Sequence, residues 1–218
     1  MSQEVTEVEF EQWKSQAHNY NEEYELYEKC MFEIIDRLTF IQNFSKQPPV
    51  VMQGIFSFEV IALQFRIICE LILFSTLAVN KKNYSFPKKD ISKVWKPSEL
   101  IKKLVEMNPN YYPKPIKLNY ENGSLKLDNI NSGFLTMDDL KDVLDKCADM
   151  CHATNPFNKK TDANVIRKLL SEWHDKIERL LACHLVELFK EEKQLLIGVD
   201  FANRSVHAMY ATTQAPFK

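Results

Sequence analysis

Hydrophobic positions along the first fifth of the chain recur at alternating spacings of three and four. They are Phe10, Trp13, Ala17, Tyr20, Tyr24, Tyr27, Met31, Ile34, Leu38 and Ile41. That is the a/d seam of a heptad repeat, and it predicts one long helix from Thr6 to Ser45, on the order of 60 Å at 1.5 Å per residue. The seam fits an antiparallel packing against this chain's own helices, or a pairing with another copy. Gln47-Pro48-Pro49 ends the helix, because proline lacks the N–H and fixes φ. From Val50 to Asn80 a second helix follows. Its Ile55–Val79 run is almost wholly apolar, interrupted by Glu59, Arg66 and Glu70 at i, i+7 and i+11.

Further on the texture changes. Pro97-Ser98-Glu99 opens a short amphipathic helix carrying Leu100, Leu104 and Met107 on one face. Ile116–Tyr120 and Leu125–Leu127 alternate around Glu121-Asn122-Gly123, the strongest short signal for a β-hairpin. Thr136-Met137-Asp138-Asp139 has the form of a capping box and starts a helix to about Ala153. After Asn155-Pro156-Phe157, Thr161-Asp162 caps a further long helix. Its apolar face, from Val165 through Trp173 to His184 and Leu188, continues to about Lys193. Leu195–Phe201 and Ser205–Thr212 form a terminal hairpin about Ala202-Asn203-Arg204.

The expected fold is therefore mainly α. It is a helical bundle with a long N-terminal helix, one inserted β-hairpin and a short C-terminal β-hairpin. The expected organisation is 1–47 for the heptad helix, 48–193 for the bundle core with its hairpin near 114–128, and 194–218 for the terminal hairpin and tail.

Composition narrows the class. The chain has 218 residues, 45% hydrophobic and 27% charged, which suits a soluble globular domain rather than a disordered one. Only 4 glycines argue against a Gly-rich phosphate loop, and a net charge of −2 argues against a general polyanion binder. The five cysteines (Cys30, Cys69, Cys147, Cys151 and Cys183) are odd in number and form no CxxC pair. They read as reduced thiols of a cytoplasmic protein. The acidic, amphipathic start lacks the basic residues and apolar core of an export signal. Ile55–Val79 has the length of a membrane span, about 20 residues, but each central charge would cost roughly 2.5–3.5 kcal/mol. No membrane partner is expected.

Two constellations could carry chemistry. Arg66 and Glu70, one turn apart, are a register-fixing ion pair or a guanidinium held out to an anion, with Glu59 two turns earlier on the same face. His152 and Asn155 are i, i+3 at a helix end. Either His152 serves as a general acid/base or an anion contact and Asn155 caps the helix or orients a ligand, or His152 bonds a helix-end carbonyl and Asn-Pro starts the turn. Cys147, Cys151 and His152 lack a fourth ligand, so no metal is expected, and with no recognised cofactor motif no cofactor is expected either. Lys81–Lys96, with Tyr84, Phe86 and Trp95, is a solvated loop or a track for a nucleic-acid backbone.

The apolar helix with Arg66-x-x-x-Glu70, followed by a charged helix ending His152-Ala-x-Asn-Pro-Phe157, resembles a group of bacterial all-helical proteins that in turn are similar to the HEPN superfamily. The usual motif there is Arg, four to six residues, then His. Here His152 matches the His, while Lys146 or Cys147 holds the Arg position. The resemblance implies a metal-independent RNase in antiviral defence or toxin–antitoxin biology. RNA or a nucleotide would be its ligand and a homodimer or a partner protein its assembly. In that mechanism His152 would move protons and Arg66 would steady the phosphate. The alternative is a non-catalytic helical interaction or dimerisation module.

Overall fold

The computed structural model describes residues 22–46, 55–81, 96–121, 124–152, 162–188 and 193–212. The elements among them are α1 (Glu22–Lys46), α2 (Ile55–Val79), α3 (Pro97–Met107), β1 (Lys114–Glu121), β2 (Ser124–Asn129), α4 (Met137–Cys151), α5 (Ala163–Leu181), β3 (Cys183–Glu187), β4 (Lys193–Asp200) and β5 (Ser205–Thr212). The strands form one antiparallel sheet in the order β2-β1-β3-β4-β5.

This corrects the expected fold class. The protein is mixed α and β, with helices packed on a five-stranded sheet, and is not a mainly α bundle carrying two separate hairpins. The difference lies in β3. Residues 183–187 fall inside the segment whose helical periodicity runs on past Leu181 through His184, Leu185 and Leu188. A continuous apolar run fits either period when no Gly or Pro interrupts it. In the folded chain α5 stops at Leu181. Ala182 caps it, and Cys183–Glu187 then pair with β4 along their length and with β1 at Lys114↔Leu185 and Pro115↔His184. That short central strand joins the two hairpins.

The helices start where their caps dictate. Thr136 and Asp139 make the reciprocal capping box of α4. Asp162 caps α5 by accepting from the Asn164 N–H at 2.7 Å. Lys176 Nζ reaches Asp139 Oδ1 at 2.8 Å, and the Leu135 N–H donates to the Lys176 carbonyl at 2.9 Å, so α5 is tied to the start of α4.

In α1, the part of the heptad seam from Tyr24 to Ile41 is buried against this chain's own core. That half of the seam is therefore internal. The seam's earlier positions, Phe10 to Tyr20, lie outside the described residues, as does most of the Lys81–Lys96 stretch. One face of the sheet sends His184, Val186, Leu195, Ile197, Val199, Val206 and Ala208 toward the helices. Ile116, Leu185 and Leu196 form a smaller cluster apart from that core, packed with Leu127, Cys183 and Met209.

The helix α2 is long and apolar enough to cross a membrane, by length and composition alone. Its most apolar window is 56% buried inside the molecule, and among the helix's described side chains only Phe56 and Leu63 are exposed, the rest being buried or half-buried.

Candidate functional site

At 100° per residue, the surface side of α2 divides into two stripes. Phe56, Val60, Leu63 and Ile67 form an apolar stripe on the outward side, with Phe56 57% and Leu63 46% exposed and Val60 and Ile67 half-buried. Beside it run Glu59, Arg66 and Glu70, all half-buried. Arg66 Nε donates to Glu70 Oε1 at 3.2 Å, and the two side chains keep 36% and 25% exposure. The pair is neither sealed in the core nor freely solvated. Among the described residues the Glu59 carboxylate has no ion-pair or hydrogen-bond partner.

The last turns of α4 pack on this charged flank. The Cys151 thiol approaches the Glu59 carbonyl at 3.9 Å. Cys147, fully buried, lies against Arg66; burial pushes its thiol up to about 12, Cys151 adds to this, and Arg66 pulls it back in part. Burial also raises the thiols of Cys69, Cys30 and Cys183. None of these four is a ready thiolate nucleophile.

His152 is the C-cap of α4, exposed, its N–H donating to the Asp149 carbonyl at 3.4 Å. Because Cys151 is level with Glu59 and Cys147 with Arg66, His152 stands at the Glu59 end of the contact. Arg66 lies seven residues further along α2, about 10 Å away by helix rise. The structure thus brings Glu59, Arg66 and Glu70 onto one flank, and leaves His152 and Arg66 at opposite ends of it. Asn155 lies outside the described residues. No group of three His, Cys, Asp or Glu among the described residues could hold a metal ion.

Two features escaped the sequence reading. The first is a buried polar link. His184 Nδ1–H donates to the Leu181 carbonyl at 2.9 Å, which leaves Nε2 to accept from the Tyr27 hydroxyl at 2.5 Å. Burial lowers the His184 pKa to about 4, offset in part by Leu181, and pushes Tyr27 far up despite a hydrogen bond with Ser75. Both residues looked apolar in period, so their polar atoms gave no signal. Sealed from solvent, the pair pins α1 to β3.

The second is an open groove of about 750 Å³ where the end of α1, the start of α2 and α5 meet. Phe58, Ile61 and Leu170 line it; Arg167 stands 5.8 Å over the Phe58 ring, and His174 lies 3.9 Å from both Asp175 and Glu178. Only the fold brings these three segments together, so no spacing in the chain marks them.

No family model, no curated protein and no solved structure matches this chain.

Proposed function

We propose that this protein is a non-catalytic interaction module, presenting the outward face of α2 to another protein. The observation that supports it is the pair of exposed apolar side chains Phe56 and Leu63, flanked by half-buried Val60 and Ile67, on a helix otherwise packed into the core. Large apolar side chains left exposed next to one another on a helix face are characteristic of contact faces. A cleavage assay on varied RNAs in EDTA tests the reading, with wild type beside His152→Ala. Wild type leaves the RNA intact. Cleavage that disappears in His152→Ala would overturn the module.

A second reading is favoured by one observation: the His152 ring is exposed at the end of α4, with no partner among the described residues. It is the HEPN-like, metal-independent RNase of defence or toxin biology. In it the 2′-hydroxyl attacks the adjacent phosphate, His152 moves the proton and Arg66 carries the phosphate charge. That chemistry requires both residues at one phosphate, and about 10 Å of α2 separates their levels within a chain.

A further inference from the structure

We infer that the outward face of α2 is a homodimer interface in which two copies of α2 pack antiparallel, with Glu59 of each copy paired to Arg66 of the other. The inference rests on the interaction reading above and names its partner.

The apolar stripe from Phe56 to Ile67 runs about 16 Å. On the α1 side it has a shoulder. Arg37 Nη1 reaches Gln64 Oε1 at 2.5 Å, and one turn on Phe40, 42% exposed, stacks on Phe44 with ring centroids 5.3 Å apart. Stripe and shoulder together supply an apolar centre for an interface that, at standard size, takes roughly 800 Å² from each partner.

Charge decides the occupant and its direction. The two flanks of the stripe differ: Gln64 lies toward α1, and Glu59, Arg66 and Glu70 lie toward α4. When two copies of a helix pack antiparallel about a two-fold axis, each flank meets the same flank of its copy in reverse order. With the axis beside residues 62 and 63, Glu59 comes opposite the partner's Arg66, and Leu63 packs near the centre. Glu70 occupies Arg66 through Nε, which leaves both Nη groups to donate. Glu59, half-buried and without a counter-ion in its own chain among the described residues, gains one. A parallel pairing would set the charged flank against the Gln64 flank and satisfy neither group. The flank is thus complementary to its own reversed copy. A neutral membrane surface would offer Glu59 no such cation.

The test is the mass of the full chain in solution by light scattering and sedimentation. At roughly 50 µM, wild type is a dimer, and Leu63→Glu, Glu59→Arg and Arg66→Glu each weaken it about tenfold or more. The double exchange Glu59→Arg with Arg66→Glu restores it, because each new cation then faces a new anion across the axis. Circular dichroism on every variant confirms the fold, and the restored double variant excludes misfolding as the cause of the single losses. A monomeric wild type overturns the dimer, including one that binds phosphatidylcholine vesicles instead. A dimer indifferent to all three substitutions overturns its placement on α2, and a double exchange that stays monomeric overturns the antiparallel pairing. The RNA assay is read separately: His152-dependent cleavage strikes the non-catalytic reading, while loss of the dimer strikes the self-association alone.

Discussion

His184 shows how one residue changes meaning on burial. Its neutral ring accepts from Tyr27 and donates to Leu181, and the site resists the proton. The folded pKa, about 4, lies below the unfolded value of 6.5, so the unfolded chain binds the proton more readily. Stability from this group is fully present above pH 6.5 and is lost as the pH falls from 6.5 toward 4. Urea unfolding at pH 7 and pH 4.5 should therefore show a loss on the order of 2–3 kcal/mol from His184. His184→Phe should remove that pH dependence, leaving the part due to carboxylates. Tyr27→Phe, which leaves Nε2 without a donor, should cost about 1–3 kcal/mol at pH 7 by the same measurement. The Arg204–Asp36 pair on the surface is a contrast. It is bidentate, at 2.7 and 2.8 Å, and Arg204 also covers the Phe32 ring at 4.8 Å, yet the pair is bathed in solvent. Asp36→Asn should move the thermal midpoint less than Tyr27→Phe does, and the small effect should fade at high salt.

At the scale of elements, α4 is the best specified. Thr136 and Asp139 satisfy each other's backbone N–H groups, and Lys176 secures the carboxylate from α5. Burial works to raise the Asp139 pKa, but the hydrogen bonds from Lys176 and Thr136 outweigh it and hold the carboxyl below the usual range. Its contribution is present above pH 4 and disappears as the pH falls below that value. Thr136→Ala should destabilise the protein by about 1 kcal/mol in chemical unfolding. Just before this helix Gly133 adopts φ +81°, where a side chain is strained, and an added Cβ would meet Arg179 Nη1 at 2.5 Å. Gly133→Ala should cost about 1–2 kcal/mol, mostly from backbone strain, because the Arg179 tip can move aside. These caps and turns are local, so the chain announces them: Thr-x-x-Asp and Asp162 are visible without any tertiary knowledge. β3 is the opposite case. Its five residues carry no break from α5 and no alternation of polar with apolar, since His184, Leu185 and Val186 are all buried. Both faces of the strand are covered, and this erases the period-two signal by which a strand is read.

The whole molecule decides what the charges on α2 do. Glu59, Arg66 and Glu70 stand out in the sequence by the cost of burying charge. The fold places them on the border between core and surface, with α4 on one side and the apolar stripe on the other. Among the described site residues only Arg66 and Glu70 touch through their side chains, and His152 sits at the far end near Glu59. A spacing in sequence could place Arg66 and Glu70 together because they share one helix. It could not place His152 against either, because that distance depends on the direction in which α4 crosses α2. The same limit hid the groove between α1, α2 and α5, and the Tyr27–His184 link between residues 157 positions apart.

By itself the sequence determined the helices with strong periods, their caps, and the alternating runs that pair as hairpins. Each of these is set by neighbours within a few residues, through backbone hydrogen bonds and side-chain spacing. The tertiary structure alone decided that a short buried strand joins those hairpins into one sheet, that the seam from Tyr24 to Ile41 serves this chain's own core, and that α2 keeps Phe56 and Leu63 outward. Those outcomes depend on which surfaces meet. Apolar burial is non-directional, so a hydrophobic pattern states how much surface must be covered and leaves the covering partner to the fold.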